Sequence, residues 1–300
     1  MLFGAKWLVD GCVRLSREFG ISEFIVSVII IGIGTSLPEL FVSVISGSRD
    51  LGTLVISNNV ASNIINILGI LGIGALIYPI ILRGRDHLSD IVFLCAASFM
   101  LAIFIWTGGM IYRIEGVLLF AILFIYLFWV WKNQHNFKSP VSEKNTKGSS
   151  YKMFLLITIG IIMLWVGSEM FMDSIEDISR IYKINQVLAG VLLVGPATAI
   201  PELIVTIIAA IRRRAAIAVG NIIGSCFMNI VLVISTGAII INLAAPPVIS
   251  YFHIPFMLFA TFVLCFDLFV HGKISRIKGA IYLLLLGLYL YLSVFFGGIF

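Results

Sequence analysis

The chain has 300 residues, of which 60% are hydrophobic and only 12% charged; soluble domains carry about 25% charged residues. With a mean hydropathy of +1.11, too few polar side chains remain to cover a water-facing surface, which excludes a soluble globular class. The net charge of +5 follows from the basic bias of cytoplasmic loops in membrane proteins, so nucleic acid is not an expected partner.

Runs of roughly 20 apolar residues are long enough to cross about 30 Å of hydrocarbon as helix. In chain order they predict an all-α integral membrane protein. Spans fall near 1–18, 22–48, 52–82, 88–107 and 115–132, a polar segment covers 133–152, and further spans fall near 153–175, 184–210, 215–242, 248–270 and 277–297. No cleavable signal peptide is visible at the start. The first span is either short or lacks its beginning, because its counterpart in the second half is longer. Cys12, Cys95, Cys226 and Cys265 are scattered singly and form no C-x-x-C pair, so small core residues are expected.

The two halves are copies. Adding 163 to a position in the first half reaches its mate in the second: Asp10/Asp173, Gly32/Gly195, Thr35/Thr198, Pro38/Pro201, Glu39/Glu202, Arg49/Arg212, Asn58/Asn221, Ser62/Ser225, Asn66/Asn229 and Tyr126/Tyr289. Five spans per copy is an odd number, so the second copy must enter the membrane from the opposite side, as in secondary transporters built from inverted repeats. The expected organisation is ten transmembrane helices: a first five-helix repeat at 1–132, a connecting loop at 133–152 and a second, inverted repeat at 153–300. Basic residues crowd one face, among them Arg14, Arg83, Lys132, Lys152, Arg212 and Arg276, while the other holds Arg49, Arg113, Arg180 and Lys183. The positive-inside rule makes the first face cytoplasmic and places both termini outside a multi-pass prokaryotic cell membrane.

Two segments per copy interrupt the apolar pattern. Gly34-Thr35-Ser36-Leu37-Pro38-Glu39 and Ala197-Thr198-Ala199-Ile200-Pro201-Glu202 each place a proline in mid-span. Proline has no N–H, so the carbonyl four residues back, at Gly34 or Ala197, is expected to lose its helical partner. Nearby threonine hydroxyls and the glutamate complete a cluster of hard oxygen donors suited to Ca2+ and Na+. Burying an acidic side chain at the bilayer centre costs about 2.5–3.5 kcal/mol even on the lenient scale, and usually marks an ion path. The second pair, Asn58/Ser62/Asn66 and Asn221/Ser225/Asn229, has i, i+4, i+8 spacing and forms a polar stripe on one helix face. Taken alone, such a stripe often only bonds helices together. The 51–82 span would be about 48 Å long as helix, so it is expected to tilt or break near the stripe.

Other candidates carry less. Asp10/Asp173 reads as helix-end solvation, Arg212-Arg213-Arg214 as a topology anchor, and His87, His135, His253 and His271 share no ligand spacing.

Gly34-Thr35-Ser36-Leu37-Pro38-Glu39 followed by Asn58-x-x-x-Ser62-x-x-x-Asn66 resembles the first alpha-repeat of the Ca2+/cation antiporter superfamily, and is most similar to its prokaryotic sodium/calcium exchangers. The resemblance implies Glu39 and Glu202 as central Ca2+ ligands, joined by the carbonyls of Thr35 and Thr198. It implies Na+ sites from the Gly32 carbonyl, Thr35, Glu39 and Ser62, and from the Gly195 carbonyl, Thr198, Glu202 and Ser225, with Asn66, Asn229 and Ser36 lining the middle. It further implies that helices near 1–18 and 153–175 slide as a pair against the other eight, and that the transport unit is a monomer. Four positions depart from the superfamily's pattern: Ala199 in place of serine, Pro196 as an extra proline, Asn229 where several members carry aspartate, and Lys6 at a commonly acidic position. These leave the coupling ion, Na+ or H+, open.

Two carboxylates balance one Ca2+, and emptying the pair is costly, so exchange for Na+ or H+ across the lipid bilayer is expected. No resident cofactor is called for. A cation channel is the rival from another class. An intramembrane enzyme is disfavoured, since no nucleophile–base pair or zinc-binding histidine constellation is present.

Overall fold

A computed structural model of the chain describes residues 2–19, 21–82, 88–133, 153–163, 166 and 186–297. Its helices are α1 (Leu2–Phe19), α2 (Glu23–Thr35), α3 (Leu37–Ser48), α4 (Gly52–Ile77), α5 (Leu88–Gly108), α6 (Arg113–Lys132) and α7 (Met153–Met163). They continue with α8 (Val187–Thr198), α9 (Ile200–Ile211), α10 (Ala215–Ile240), α11 (Ile249–His271) and α12 (Arg276–Gly297). Residues 134–152 of the connecting loop and most of the sixth expected span, with Asp173 and Arg180, lie outside the described residues, as do His87 and His135.

Six of these helices are long and apolar enough to cross a membrane. The bent pairs α2–α3 and α8–α9 raise the number to eight. The protein is therefore an all-helical, multi-pass membrane protein. Its polarity is arranged inside out. Ile103, Phe124, Phe128, Phe262, Leu284 and Tyr291 are half or more exposed on the outer helices, where lipid tails are their natural solvent. Asn58, Asn59, Ser62, Asn221, Ser225 and Asn229 are fully buried. The most apolar windows of α4 and α10 are 78% and 94% buried, against 22% for α6 and α12, so the helices with polar stripes form the centre and α6 and α12 the rim.

Proline and glycine shape the bent pairs. Pro38 and Pro201 stand at the second position of α3 and α9, where a missing N–H costs no intrahelical bond. The preceding residues, Ser36 (φ −82°, ψ 6°) and Ala199 (φ −77°, ψ 0°), leave helical geometry, and the chain turns by 40° and 42°. The interruption is thus a single-residue joint with a new helix start after it. A run of π-type turns precedes each joint at mated positions, Ser27–Ile31 and Gly190–Val194.

Of the tilt or break expected in 51–82, no break occurs. α4 is continuous to Ile77 and absorbs its polar stripe with a π-type stretch at Ile65–Ile70; α10 does the same at Asn229–Ile234. π-type turns inside α-helices concentrate at functional sites.

The 163-residue offset recurs in three dimensions. Two short antiparallel ladders join the halves, β1 (Ile80–Ile81) with β4 (Lys273–Ile274) and β2 (Met110–Ile111) with β3 (Leu243–Ala244). The pair Ile80↔Ile274 maps onto Leu243↔Ile111, and Ile81↔Lys273 onto Ala244↔Met110. Even the left-handed turn residues before α4 and α10 are mates, Asp50 (φ 59°) and Arg213 (φ 56°).

Long-range ion pairs clamp the α9–α10 turn. Asp10, expected to be a solvated helix end, bonds Arg212. Arg214 bonds Glu23 at 2.7 Å, and Arg213 stacks over Tyr78 at 5.3 Å. The arginine triplet therefore ties α1, α2 and the end of α4 together, beyond any part in orientation. His253 is buried in α11 with Nδ1 2.8 Å from the Tyr289 hydroxyl.

Candidate metal centre

Each joint ends where a new helix begins, and each glutamate sits in the first turn of that helix: Glu39 in α3 and Glu202 in α9. Both are fully buried. The two carboxylates are within electrostatic reach of one another, with Glu39 against Thr198 and Glu202 against Thr35 and Ser225. Among the described residues none of their four oxygens has a regular hydrogen bond. Among the described residues neither has an ion-pair partner.

The hydroxyls and amides around them come from opposite halves and interlock reciprocally. Thr35 Oγ1 donates to the Ile31 carbonyl at 3.0 Å, lies 3.0 Å from Ser225 Oγ and is 3.4 Å from Asn221 Oδ1. Its mate Thr198 has Ser62 Oγ at 3.3 Å, the Gly195 carbonyl at 3.3 Å and Asn58 Oδ1 at 3.4 Å. Ser62 also reaches the Gly195 carbonyl at 3.3 Å. The stripe of α4 thus serves the joint of the second half, and the stripe of α10 that of the first. Close helix approach permits this. A Cβ on Gly32 would lie 2.9 Å from the backbone of Gly224, and one on Gly195 would lie 3.2 Å from Ala61 Cβ.

Every expected site residue is described, and all are buried: Gly32, Thr35, Ser36, Glu39, Ser62, Asn66, Gly195, Thr198, Glu202, Ser225 and Asn229. The hydrogen bonds above tie together Thr35, Ser225, Thr198, Ser62 and the Gly195 carbonyl. Ser36 Oγ, both polar atoms of the Asn66 side chain and Asn229 Oδ1 have no hydrogen-bond partner among the described residues. A buried acceptor left unpaired costs about 1–3 kcal/mol, more if charged. So dense a set of unpaired oxygens suits hard cations.

Asn63 escaped the sequence reading, and Asn221 entered it only as a member of the stripe. Asn63 Nδ2 donates to the Cys226 carbonyl at 3.1 Å, and Asn63 Oδ1 accepts from Asn229 Nδ2 at 3.0 Å, which leaves Asn229 Oδ1 as the unpaired end. Asn221 Nδ2 donates to the Glu202 carbonyl at 3.1 Å and to Thr206 Oγ1 at 2.9 Å. Asn63 and Cys226 are mates under the offset, so Asn229 meets an amide where Asn66 meets a thiol. Comparing the stripes position by position would have exposed that asymmetry.

The donor set is oxygen-rich and poor in nitrogen and sulfur. Among the described residues no cluster of three His, Cys, Asp or Glu side chains could hold a metal. Two carboxylates with hydroxyl, amide and carbonyl oxygens fit Ca2+ or Na+ and disfavour zinc or copper.

Comparison with known proteins agrees with this chemistry. The family described as sodium/calcium exchanger protein matches residues 1–132 and 152–295. An uncharacterized membrane protein of Methanocaldococcus jannaschii is 31% identical over 292 residues, covering 95% of this chain and 91% of that protein. The sodium/calcium exchanger MaX1 of Methanosarcina acetivorans is 22% identical, covering 93% and 91%. A solved structure of the sodium-calcium exchanger NCX_Mj, soaked with 2.5 mM Na+ and 0.1 mM Ca2+, matches with a TM-score of 0.81 at 30% identity, over 96% of this chain and 92% of that one.

Proposed function

The chain belongs to the sodium/calcium exchanger protein family, and from that premise we propose that it exchanges Ca2+ for Na+ across the cell membrane by alternating access. One observation carries the reading: the four carboxylate oxygens of Glu39 and Glu202, one residue from each half, are fully buried and among the described residues find no hydrogen-bond partner.

Glu39 and Glu202 are the central Ca2+ ligands in this reading, completed by the carbonyls of Thr35 and Thr198. Na+ takes the flanking positions built from the Gly32 carbonyl, Thr35, Glu39 and Ser62, and from the Gly195 carbonyl, Thr198, Glu202 and Ser225. Ser36, Asn66 and Asn229 line the middle. Both glutamates lie at helix N-termini, so the backbone dipoles help hold the uncompensated negative charge. One Ca2+ neutralises that charge and lets the loaded site cross a low-dielectric interior. With no cation bound, two buried carboxylates would face one another, a state expensive enough that Ca2+ leaves only as other cations enter. Exchange follows from that charge rule.

The same reading takes the chain as ten transmembrane helices in two inverted five-helix repeats, 1–132 and 153–300, joined by a cytoplasmic loop at 133–152. Reciprocal ladders and hydrogen bonds under the 163-residue offset support it. Both termini are then extracellular, and the transport unit is a monomer in the lipid bilayer.

The test is 45Ca2+ uptake by the purified protein in vesicles loaded with Na+. Uptake should follow the outward Na+ gradient and be lost in Glu39→Gln and in Glu202→Gln. Uptake driven by a pH gradient alone would reassign the coupling ion to H+. Uptake indifferent to any counter-ion gradient would make the protein a channel.

A further inference from the structure

The four cysteines are not equivalent in space. Cys12 and Cys226 are buried, and the Cys226 thiol points at the Asn63 carbonyl, 3.8 Å away. Cys95 and Cys265, which are 170 residues apart in the chain, have their sulfur atoms 2.9 Å from one another. That is inside ordinary van der Waals contact, so nothing can stand between them. The approach still needed to reach a covalent S–S distance of about 2.05 Å is under about 1 Å.

Helix geometry makes the meeting specific. Cys95 is the eighth residue of α5, about 10 Å along it, and Cys265 lies six residues before the end of α11, about 9 Å from that end. The helices pack against each other and run in opposite directions, so the two thiols stand at matching depth. Cys265 is buried, and Cys95 is half-buried beside the lipid-facing Ala96. An oxidant dissolved in the membrane can reach this pair. One confined to water cannot.

We propose that Cys95 and Cys265 form an intramembrane dithiol that oxidises to a disulfide joining α5 to α11. A quinone dissolved in the bilayer is the co-reactant. The two S–H bonds break, one S–S bond forms, and the two electrons and two protons pass to the quinone, which leaves as the quinol. A reducing dithiol reverses the step by exchange. Neither helix carries a residue of the cation site, so the bond changes the cohesion of the helix bundle and leaves the ligands untouched. It closes a very long loop, the case in which a cross-link most restricts the unfolded chain.

The experiment uses the full chain in phospholipid vesicles, treated with a short-chain benzoquinone, then alkylated with a maleimide and mapped without reduction. The expected result is the loss of two hydrogen masses, two fewer alkylated thiols and one linked peptide pair joining 88–108 to 249–271. Unfolding should move up by several degrees and return after dithiothreitol. Cys95→Ser and Cys265→Ser should each abolish the link. Four thiols still alkylated after quinone, or a link through Cys12 or Cys226 or between two copies, would overturn the proposal. The mapping needs only the unaltered protein, so a poorly folding variant cannot obscure it.

Discussion

Gly32→Ala probes the point where the two halves come nearest the cation site. The new Cβ would lie 2.9 Å from Cα and C of Gly224 and 3.3 Å from the nitrogen of Ser225, all backbone atoms that cannot rotate away. Ordinary contact begins at 3.4 Å, so α2 and α10 must separate by about 0.5 Å, the scale of an overpacked core that costs about 1–3 kcal/mol. Thr35 Oγ1 and Ser225 Oγ are 3.0 Å apart across this interface, and the same displacement takes them to the limit of hydrogen bonding, worth about another 1 kcal/mol. If about 1 kcal/mol of that falls on the loaded site, apparent Ca2+ affinity drops about fivefold. Gly287→Ala is the control, because a Cβ there meets nothing within 4 Å. Na+-driven Ca2+ uptake over a range of Ca2+, with a thermal melt of each variant, is the assay. Gly32→Ala should weaken affinity about five- to tenfold and melt lower than Gly287→Ala. If the two variants match the parent in both readouts, the close approach at Gly32 has no bearing on the site.

Asn63→Leu removes the acceptor for Asn229 Nδ2 and the donor to the Cys226 carbonyl; a loss of about 1–3 kcal/mol of stability and a severalfold rise in half-saturating Ca2+ are expected, and an unchanged uptake curve would remove Asn63 from the site's support. Asp10 and Arg212 form a partly exposed ion pair, with side chains 39% and 30% exposed, so a double-mutant cycle with Asp10→Asn and Arg212→Gln should give a coupling of only about 0.2–1 kcal/mol. A coupling several times larger would show that the pair is effectively desolvated.

Much of this arrangement was readable from the residues because the bilayer simplifies the problem: a helix must satisfy its own backbone, so apolar length gives the spans, and a buried carboxylate has few roles. Pro38-Glu39 and Pro201-Glu202 marked the joints to within two residues. The proline itself did not mark the deviating residue, since proline is comfortable at the start of a helix and the turn falls on Ser36 and Ala199 before it. The π-type stretches in α2, α4, α8 and α10 left no sequence mark. Asp10 and Arg212 are 202 residues apart, and no local pattern joins them. The crossing of partners, Thr35 with Ser225 and Thr198 with Ser62, was implicit in the offset but depended on how the halves dock.

The two ladders divide the molecule mechanically. One staples the turn after α4 to the turn between α11 and α12; the other staples the turn between α5 and α6 to the turn after α10. Six helices are thereby laced at their ends into a cage whose members cannot drift apart without tearing main-chain bonds. Among the described residues α1, α2, α3, α7, α8 and α9 take no part in either ladder, and two of them, α3 and α9, carry the glutamates. The acidic groups therefore sit on helices outside the laced cage, while the amide stripes of α4 and α10 belong to it.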